Sequence, residues 1–553
     1  MSSATSSHSI FTESVPSWTK TTRYYKGVLS ATFRENVLDR VNVLGDDREY
    51  GHAGCVNALH WAREGELLLS SGDDTTVQIW RMDPADTSQD YPFTCKTVIH
   101  TGHRANIFNV HLLPYSSRIA TVAGDRQVRV FDVGEDVGMG DRMQEFHTGH
   151  ALTHTFRCHE DRVKRIVTEN SPDVFLTVSE DGSVRQHDLR TPHSCRTSTC
   201  PPPILQVEHE LSTLALSPLT PYQMVVAGSS PFGYLFDRRY TARESWMKPN
   251  GVTTCVRRFG RPPNVPRDDE RNLFHREHIT GARMATENGH EVLLSYSGDG
   301  VYLYSTMDEP EDEKPRQGSV LPSNSKATSK RRKLSGSPPV GEEGTEDEDT
   351  EMIVSENKDN DDKEEEEEEE DDDDDEDYED EDQYNPRTSE AFHPWVPVIL
   401  PRMRYAGARN IDTVKDVNFL GPSDEYVVSG SDDGNWFMWN KSDGELHGIY
   451  EGDGSVVNVI EAHPYLPLVA VSGIDKTVKL FGPARGESQF SRTSQADSIT
   501  RNNQDRNNLR IFRTIRRSDF ITLLASMHAA QAIGRGGDSD DDGEGVGTEC
   551  INQ

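Results

Sequence analysis

The sequence predicts an all-β fold built from seven repeated units, and three observations carry that prediction. Short runs such as VQIW, VRVF and VKLF alternate in the way strands do. Clusters of Gly, Asp and Ser separate them, which suits tight turns. The spacing also recurs: His52 to Asp74, His103 to Asp125 and His159 to Asp181 are each 22 residues apart. A ring follows each aspartate six residues on, as Trp80, Phe131 and His187.

Weaker copies extend the series. His209 precedes Ser230 by 21 residues, and His278 precedes Asp299 by 21. SGSDDGNWFMW carries Asp433 and Trp439, and SGIDKTVKLF carries Asp475 and Phe481. Seven units with GH…D…W marks resemble WD40 repeats, and that resemblance implies a seven-bladed β-propeller. At about 40–45 residues per blade the ring needs roughly 300 residues, leaving the remainder for inserts and tails.

The resemblance also assigns the recurring polar residues. His52, Ser70, Asp74 and Trp80 match the hydrogen-bonded tetrad of a WD40 blade. His103, Thr121 and Asp125, and His159, Thr177 and Asp181, are the corresponding sets in the next two units. Ser295 and Ser429 also stand four residues before an aspartate. A His/Ser/Asp set could suggest hydrolysis, but a catalytic triad occurs once and works beside an oxyanion hole. A set repeated unit after unit reads as structure. The fourth unit lacks the aspartate, the sixth lacks the histidine, and the seventh has Asp453 in the histidine's place.

Charge separates the chain into two kinds of sequence. The 553 residues carry a formal net charge of −36. Residues 341–382 alone hold 29 acids and 2 lysines. A stretch of that composition cannot bury enough apolar surface to fold and repels itself. The seven cysteines are odd in number and contain no Cys-x-x-Cys pair, which argues against a disulfide framework or zinc ribbon. No apolar run reaches the length of a membrane span, and the first residues lack a secretory apolar core. A soluble, reduced, intracellular protein is expected.

The predicted organisation runs in order along the chain. Residues 1–20 form a disordered N-terminus, and 21–50 an extension with a short helix over 28–40. Leu29, Phe33 and Val37 share one face of that helix, which packs on the ring or docks a partner. Residues 51–306 hold blades one to five, and 307–390 a disordered acidic insert between blades five and six. Residues 391–484 hold blades six and seven, and 485–505 a linker. Residues 506–533 form a basic amphipathic helix, and 534–553 an acidic tail. Lys330, Arg331, Arg332 and Lys333 make a short cluster of nuclear-localisation type, so residence in both nucleus and cytoplasm is expected. Ser337, before Pro338, is a possible phosphate acceptor beside it.

No enzymatic motif accompanies this architecture: there is no P-loop, nucleophile elbow or His-Glu-x-x-His. The histidines at 147, 150, 154 and 159 lack convincingly spaced partner ligands. No catalytic residue, metal ligand or cofactor is therefore expected, nor direct binding to nucleic acid or membrane. A propeller of this kind is a binding platform.

Two blade endings carry a more specific signal. The third unit ends His187-Asp188-Leu189-Arg190, and the fourth Phe236-Asp237-Arg238-Arg239. Both fit a ring, Asp, any residue, Arg. This resembles the signature of WD40 substrate receptors of cullin-RING ubiquitin ligases. The segments TGHRANIF and IEAHPYLPLVAVSGID resemble the nuclear receptor interaction protein subgroup of those receptors, over about residues 48–306 and 402–484. The resemblance implies that Asp188, Arg190, Asp237 and Arg239 bind the damaged-DNA-binding-protein adaptor, which joins the cullin scaffold. A substrate of unknown identity would then be presented for ubiquitination. Two departures stand out: His187 replaces the usual aromatic, and Ser230 replaces the tetrad aspartate, which would hold Arg239 less rigidly. The alternative is a chromatin or transcription scaffold whose acidic insert binds histones or other basic proteins.

Overall fold

The computed structural model describes residues 23–46, 50–83, 85–87, 90–138, 143–195, 200–241, 255–262, 278–310, 396–484 and 486–509. They form seven antiparallel four-stranded blades, two of which gain a fifth strand in parallel. The fold is the expected seven-bladed β-propeller.

The strand pattern explains how the ring holds together. The second strand of blade one, Leu67–Gly72, is buried along its whole length. Leu67 and Leu69 pack with Ile107 and Ile119 of blade two, whereas Leu68 packs with Leu468 and Ala470 of blade seven. Alternate side chains thus serve opposite neighbours, which is why a run such as LLLS carries no polar face. Each pair of adjacent blades shares its own apolar cluster, so the core is distributed between sheets around the ring.

The ring closes through the N-terminal segment. Strand Leu38–Leu44 pairs antiparallel with Val478–Pro483 and completes blade seven. A register shift between Arg40 and Asn42 turns the later residues over. Leu38 therefore joins the cluster between blades six and seven, and Leu44 the cluster between seven and one. A strand recruited from one chain end to the other removes an unpaired sheet edge.

This closure corrects the expected helix over 28–40. The helix spans Arg23–Glu35, and 38–44 is strand. Leu29 and Phe33 are buried against Leu420, Tyr426 and Phe481, but Val37 follows the helix end and is 51% exposed. Helical periodicity continued across a segment whose β-branched residues, Val41 and Val43, belong to a sheet.

Two further boundaries differ from expectation. Met403–Tyr405 pairs with Val301–Ser305 as the outer strand of blade five. The long insert therefore interrupts blade five and does not separate blades five and six. Helix Ala496–Leu509 occupies the expected linker 485–505. Ala496 and Ile499 pack on the cluster between blades five and six, and Asn503 is buried. Those three positions share a helix face, but the sequence ADSITRNNQDRNNL is too polar to show it by apolar periodicity. The expected helix over 506–533 falls mainly outside the described residues, as do the expected tails 1–20 and 534–553 and nearly all of 307–390. Among the described residues no helix is long and apolar enough to cross a membrane.

Candidate functional site

The repeated polar residues form interior networks. In blade one, Trp80 Nε1–H donates to Ser70 Oγ at 2.8 Å, and Ser70 Oγ lies 2.8 Å from His52 Nε2. His52 Nδ1 lies 2.9 Å from Asp74 Oδ2, which also accepts the Ala53 amide at 3.0 Å. With the indole donating, the Ser70 hydroxyl can donate to His52 Nε2, leaving Nδ1–H for the carboxylate. Burial opposes ionisation of Asp74, but the interactions with His52 and the hydrogen bonds from the Thr76 and Ala53 amides together outweigh it and hold the carboxyl below its ordinary range.

Blade two repeats the arrangement through His103, Asp125 and Thr121, with Phe131 closing the apolar side. In blade three His159 lies 3.0 Å from Asp181 and 2.8 Å from Thr177. His187 Nε2 lies 2.9 Å from Thr177 Oγ1. His187 thus takes the station of the tryptophan, and its replacement of an aromatic does not break the network.

The later blades substitute other chemistry. Ser230, in the aspartate's place in blade four, bonds Tyr234 Oη at 2.7 Å. In blade five Asp299 accepts from Arg261, Arg404 and Tyr302, while Ser295 accepts from Asn410 at 3.0 Å. In blade six the C-terminal helix supplies Asn503, whose Nδ2 donates to Asp433 Oδ2 and to Gly407 O, each at 2.9 Å. Ser429 bonds backbone carbonyls instead. In blade seven buried Lys479 bridges Asp453 at 3.2 Å and Asp475 at 2.9 Å. Each substitute restores a paired polar interior.

The two blade endings singled out by sequence have the same local geometry. The Arg190 amide donates to Asp188 Oδ1 at 3.0 Å, while its Nε and Nη2 bond Oδ1 at 2.8 Å and Oδ2 at 2.7 Å. The Arg239 amide donates to Asp237 Oδ1 at 3.0 Å, with Nε to Oδ1 at 3.0 Å and Nη2 to Oδ2 at 2.6 Å. The aspartate thus pins both the turn and the guanidinium plane. Hydrogen bonding to the arginine holds each carboxyl below its ordinary range. The two arginine side chains remain 66% and 59% exposed.

Neighbouring contacts order the fourth-blade ending as well as the third. The Arg239 guanidinium lies 3.9 Å above the Tyr222 ring. Arg238 reaches across to blade three, pairing with Glu169 at 2.7 Å and Gln186 at 2.8 Å. Asp237 and Tyr222 contact Arg239 without any involvement of position 230. Beside Arg190, residues His154, Phe156, Pro192 and His193 line a shallow groove.

One cluster escaped the sequence reading. Cys158, His193, Cys195 and Cys200 bring their ligand atoms within 4.8 Å of one another. Of the histidines weighed from sequence, His159 belongs to the blade-three tetrad, His154 lines the groove beside His193, and His147 stacks on His100 at 4.6 Å with Glu145 close to both. The signal was His193-x-Cys195-x4-Cys200, but its fourth member lies 35 residues upstream. Lys330, Arg331, Arg332 and Lys333, with Ser337, lie outside the described residues.

Comparison with known proteins agrees with this architecture. The family model "WD domain, G-beta repeat" matches residues 47–81, 93–132, 150–188 and 409–440, which fall in blades one, two, three and six. The fold is thus that of a seven-bladed WD40 β-propeller, an architecture capable of scaffolding protein–protein interaction. It is related distantly to several WD40 proteins. WD repeat protein iqw1 of Schizosaccharomyces pombe is 33% identical over 273 residues, covering 47% of this chain and 32% of that protein. Protein ALTERED SEED GERMINATION 2 of Arabidopsis thaliana is 33% identical over 279 residues, covering 46% and 34%. DDB1- and CUL4-associated factor 6 of Homo sapiens is 31% identical over 264 residues, covering 47% and 27%. The chain thus spans about a third of the length of these relatives.

Proposed function

We propose that this protein is a substrate receptor of a cullin-RING ubiquitin ligase. The observation that carries the proposal is the pair of matched forks, Asp188–Arg190 and Asp237–Arg239, on adjacent blades. Each fork offers an exposed guanidinium in a plane already fixed by its aspartate. A partner's carboxylates or backbone carbonyls can meet it with little further ordering cost. The name of the human relative, which associates it with DDB1 and CUL4, supports the same reading.

In this role the chain performs no chemistry. The forks bind the adaptor, the adaptor joins the cullin, and another surface of the propeller holds the substrate near the ubiquitin-charged enzyme. The rate gain then comes from proximity. Nuclear entry through Lys330–Lys333 alongside a cytoplasmic pool belongs to the same proposal.

The test is affinity capture of tagged protein from its own cells, beside an Arg190→Ala/Arg239→Ala variant. Adaptor and cullin recovered with the unaltered protein and lost with the variant support the role. Their absence from the unaltered protein's capture rejects it.

A further inference from the structure

We propose that Cys158, His193, Cys195 and Cys200 hold a structural zinc ion at the edge of blade three. Cys158 Sγ lies 3.1 Å from His193 Nε2 and 3.4 Å from Cys195 Sγ, and His193 Nε2 lies 3.0 Å from Cys195 Sγ. Cys200 completes the group, with all four ligand atoms within 4.8 Å of one another. A tetrahedral zinc site has Zn–S near 2.3 Å and Zn–N near 2.0–2.1 Å, which spaces its ligand atoms by roughly 3.5–3.8 Å. Three sulfurs and one imidazole nitrogen are a closed structural donor set, and thiolates favour zinc over magnesium or calcium.

The surroundings suit a metal better than free thiols. All three cysteines are unbridged and half-buried. The Arg157 amide donates to Cys195 Sγ at 3.2 Å, a contact that favours a thiolate. Phe156 meets His193 edge-on at 5.2 Å and fixes the plane of the imidazole. A dication stabilises neighbouring thiolates that otherwise repel one another.

The site also has a structural task. Cys158 immediately precedes His159 of the blade-three tetrad, so it sits on rigid backbone. The other three ligands lie on the connection between strands Ser183–Asp188 and Leu205–Gln206. That connection is long for a propeller blade. A metal bridging it to residue 158 fastens the segment that begins with Asp188 and Arg190. The zinc assignment rests on the ligand cluster alone and stands whether or not Arg190 meets an adaptor.

The test uses full-length protein without a polyhistidine tag, purified under reducing, chelator-free conditions. Elemental analysis should give about one zinc per chain, and Cys195→Ser/Cys200→Ser should lose it. Should that variant fail to fold, metal exchange in the unaltered protein decides. Cobalt should then give the intense visible bands and thiolate charge-transfer absorption of a tetrahedral sulfur-rich site. Stoichiometric metal absent from the unaltered protein, together with no such cobalt spectrum, overturns the proposal. So does zinc retained in a folded double variant, or an intact mass showing Cys158 and Cys195 joined as a disulfide.

Discussion

His187 Nε2 lies 2.9 Å from the Thr177 hydroxyl, where blade one sets Trp80 Nε1 2.8 Å from Ser70. The two rings differ in size but place a ring nitrogen at the same station. His187 is buried against Phe156 and Phe175, with centroids at 4.7 and 5.0 Å. Burial, followed by the charges of His159, His193 and Arg185, holds its pKa well below the ordinary value.

That depression makes blade three sensitive to acid. In the unfolded chain His187 takes a proton near pH 6.5, while in the folded chain it stays neutral. The unfolded state then binds more protons, so stability falls as pH drops below about 6.5. His187→Phe should cost about 1 kcal/mol at pH 8 through the lost bond to Thr177. The deficit should narrow at pH 5.5, since the variant lacks the proton penalty. Denaturant melts at both pH values measure it, and an equal deficit at each would clear His187 of the effect.

Asn503 ties the C-terminal helix to blade six through two buried hydrogen bonds. Asn503→Ala removes the donor from Asp433 and from the Gly407 carbonyl. The expected loss is about 1–3 kcal/mol, seen as a lower thermal midpoint. A truncation ending at residue 495 should lose at least as much. An unchanged midpoint in both would mean the helix contributes nothing to the propeller.

Lys479 stands between Asp453 and Asp475 in blade seven. Lys479→Met keeps much of the side-chain volume but leaves two carboxylates without their shared cation. The expected destabilisation is about 3–5 kcal/mol at neutral pH. Adding Asp453→Leu should recover part of it, because the most deeply buried charge is then gone. A double variant as unstable as the single one would contradict this account.

Most of the propeller was legible because its repeats are written in spacing. The 22-residue interval and the ring six residues later located three blades, and weaker copies located the rest. What escaped was information carried by partners far apart in sequence. Asn503 replaces a histidine missing from a blade that begins some ninety residues earlier. Strand Leu38–Leu44 completes a blade more than 400 residues downstream. Cys158 meets His193 only once blade three has folded. Conversely, the Asp-x-Arg pairs were readable because each closes on itself within three residues. Their likeness across blades three and four extends to individual hydrogen-bond lengths.

The central claim is tested most directly with purified components. Binding of the purified adaptor to this protein is measured beside Arg190→Ala/Arg239→Ala, with matched thermal melts to show an intact propeller. Two interfacial arginines that each contribute about 2 kcal/mol predict a loss of roughly a thousandfold in affinity. Unaltered affinity in a folded double variant would contradict the assignment of Arg190 and Arg239 as the adaptor-binding pair.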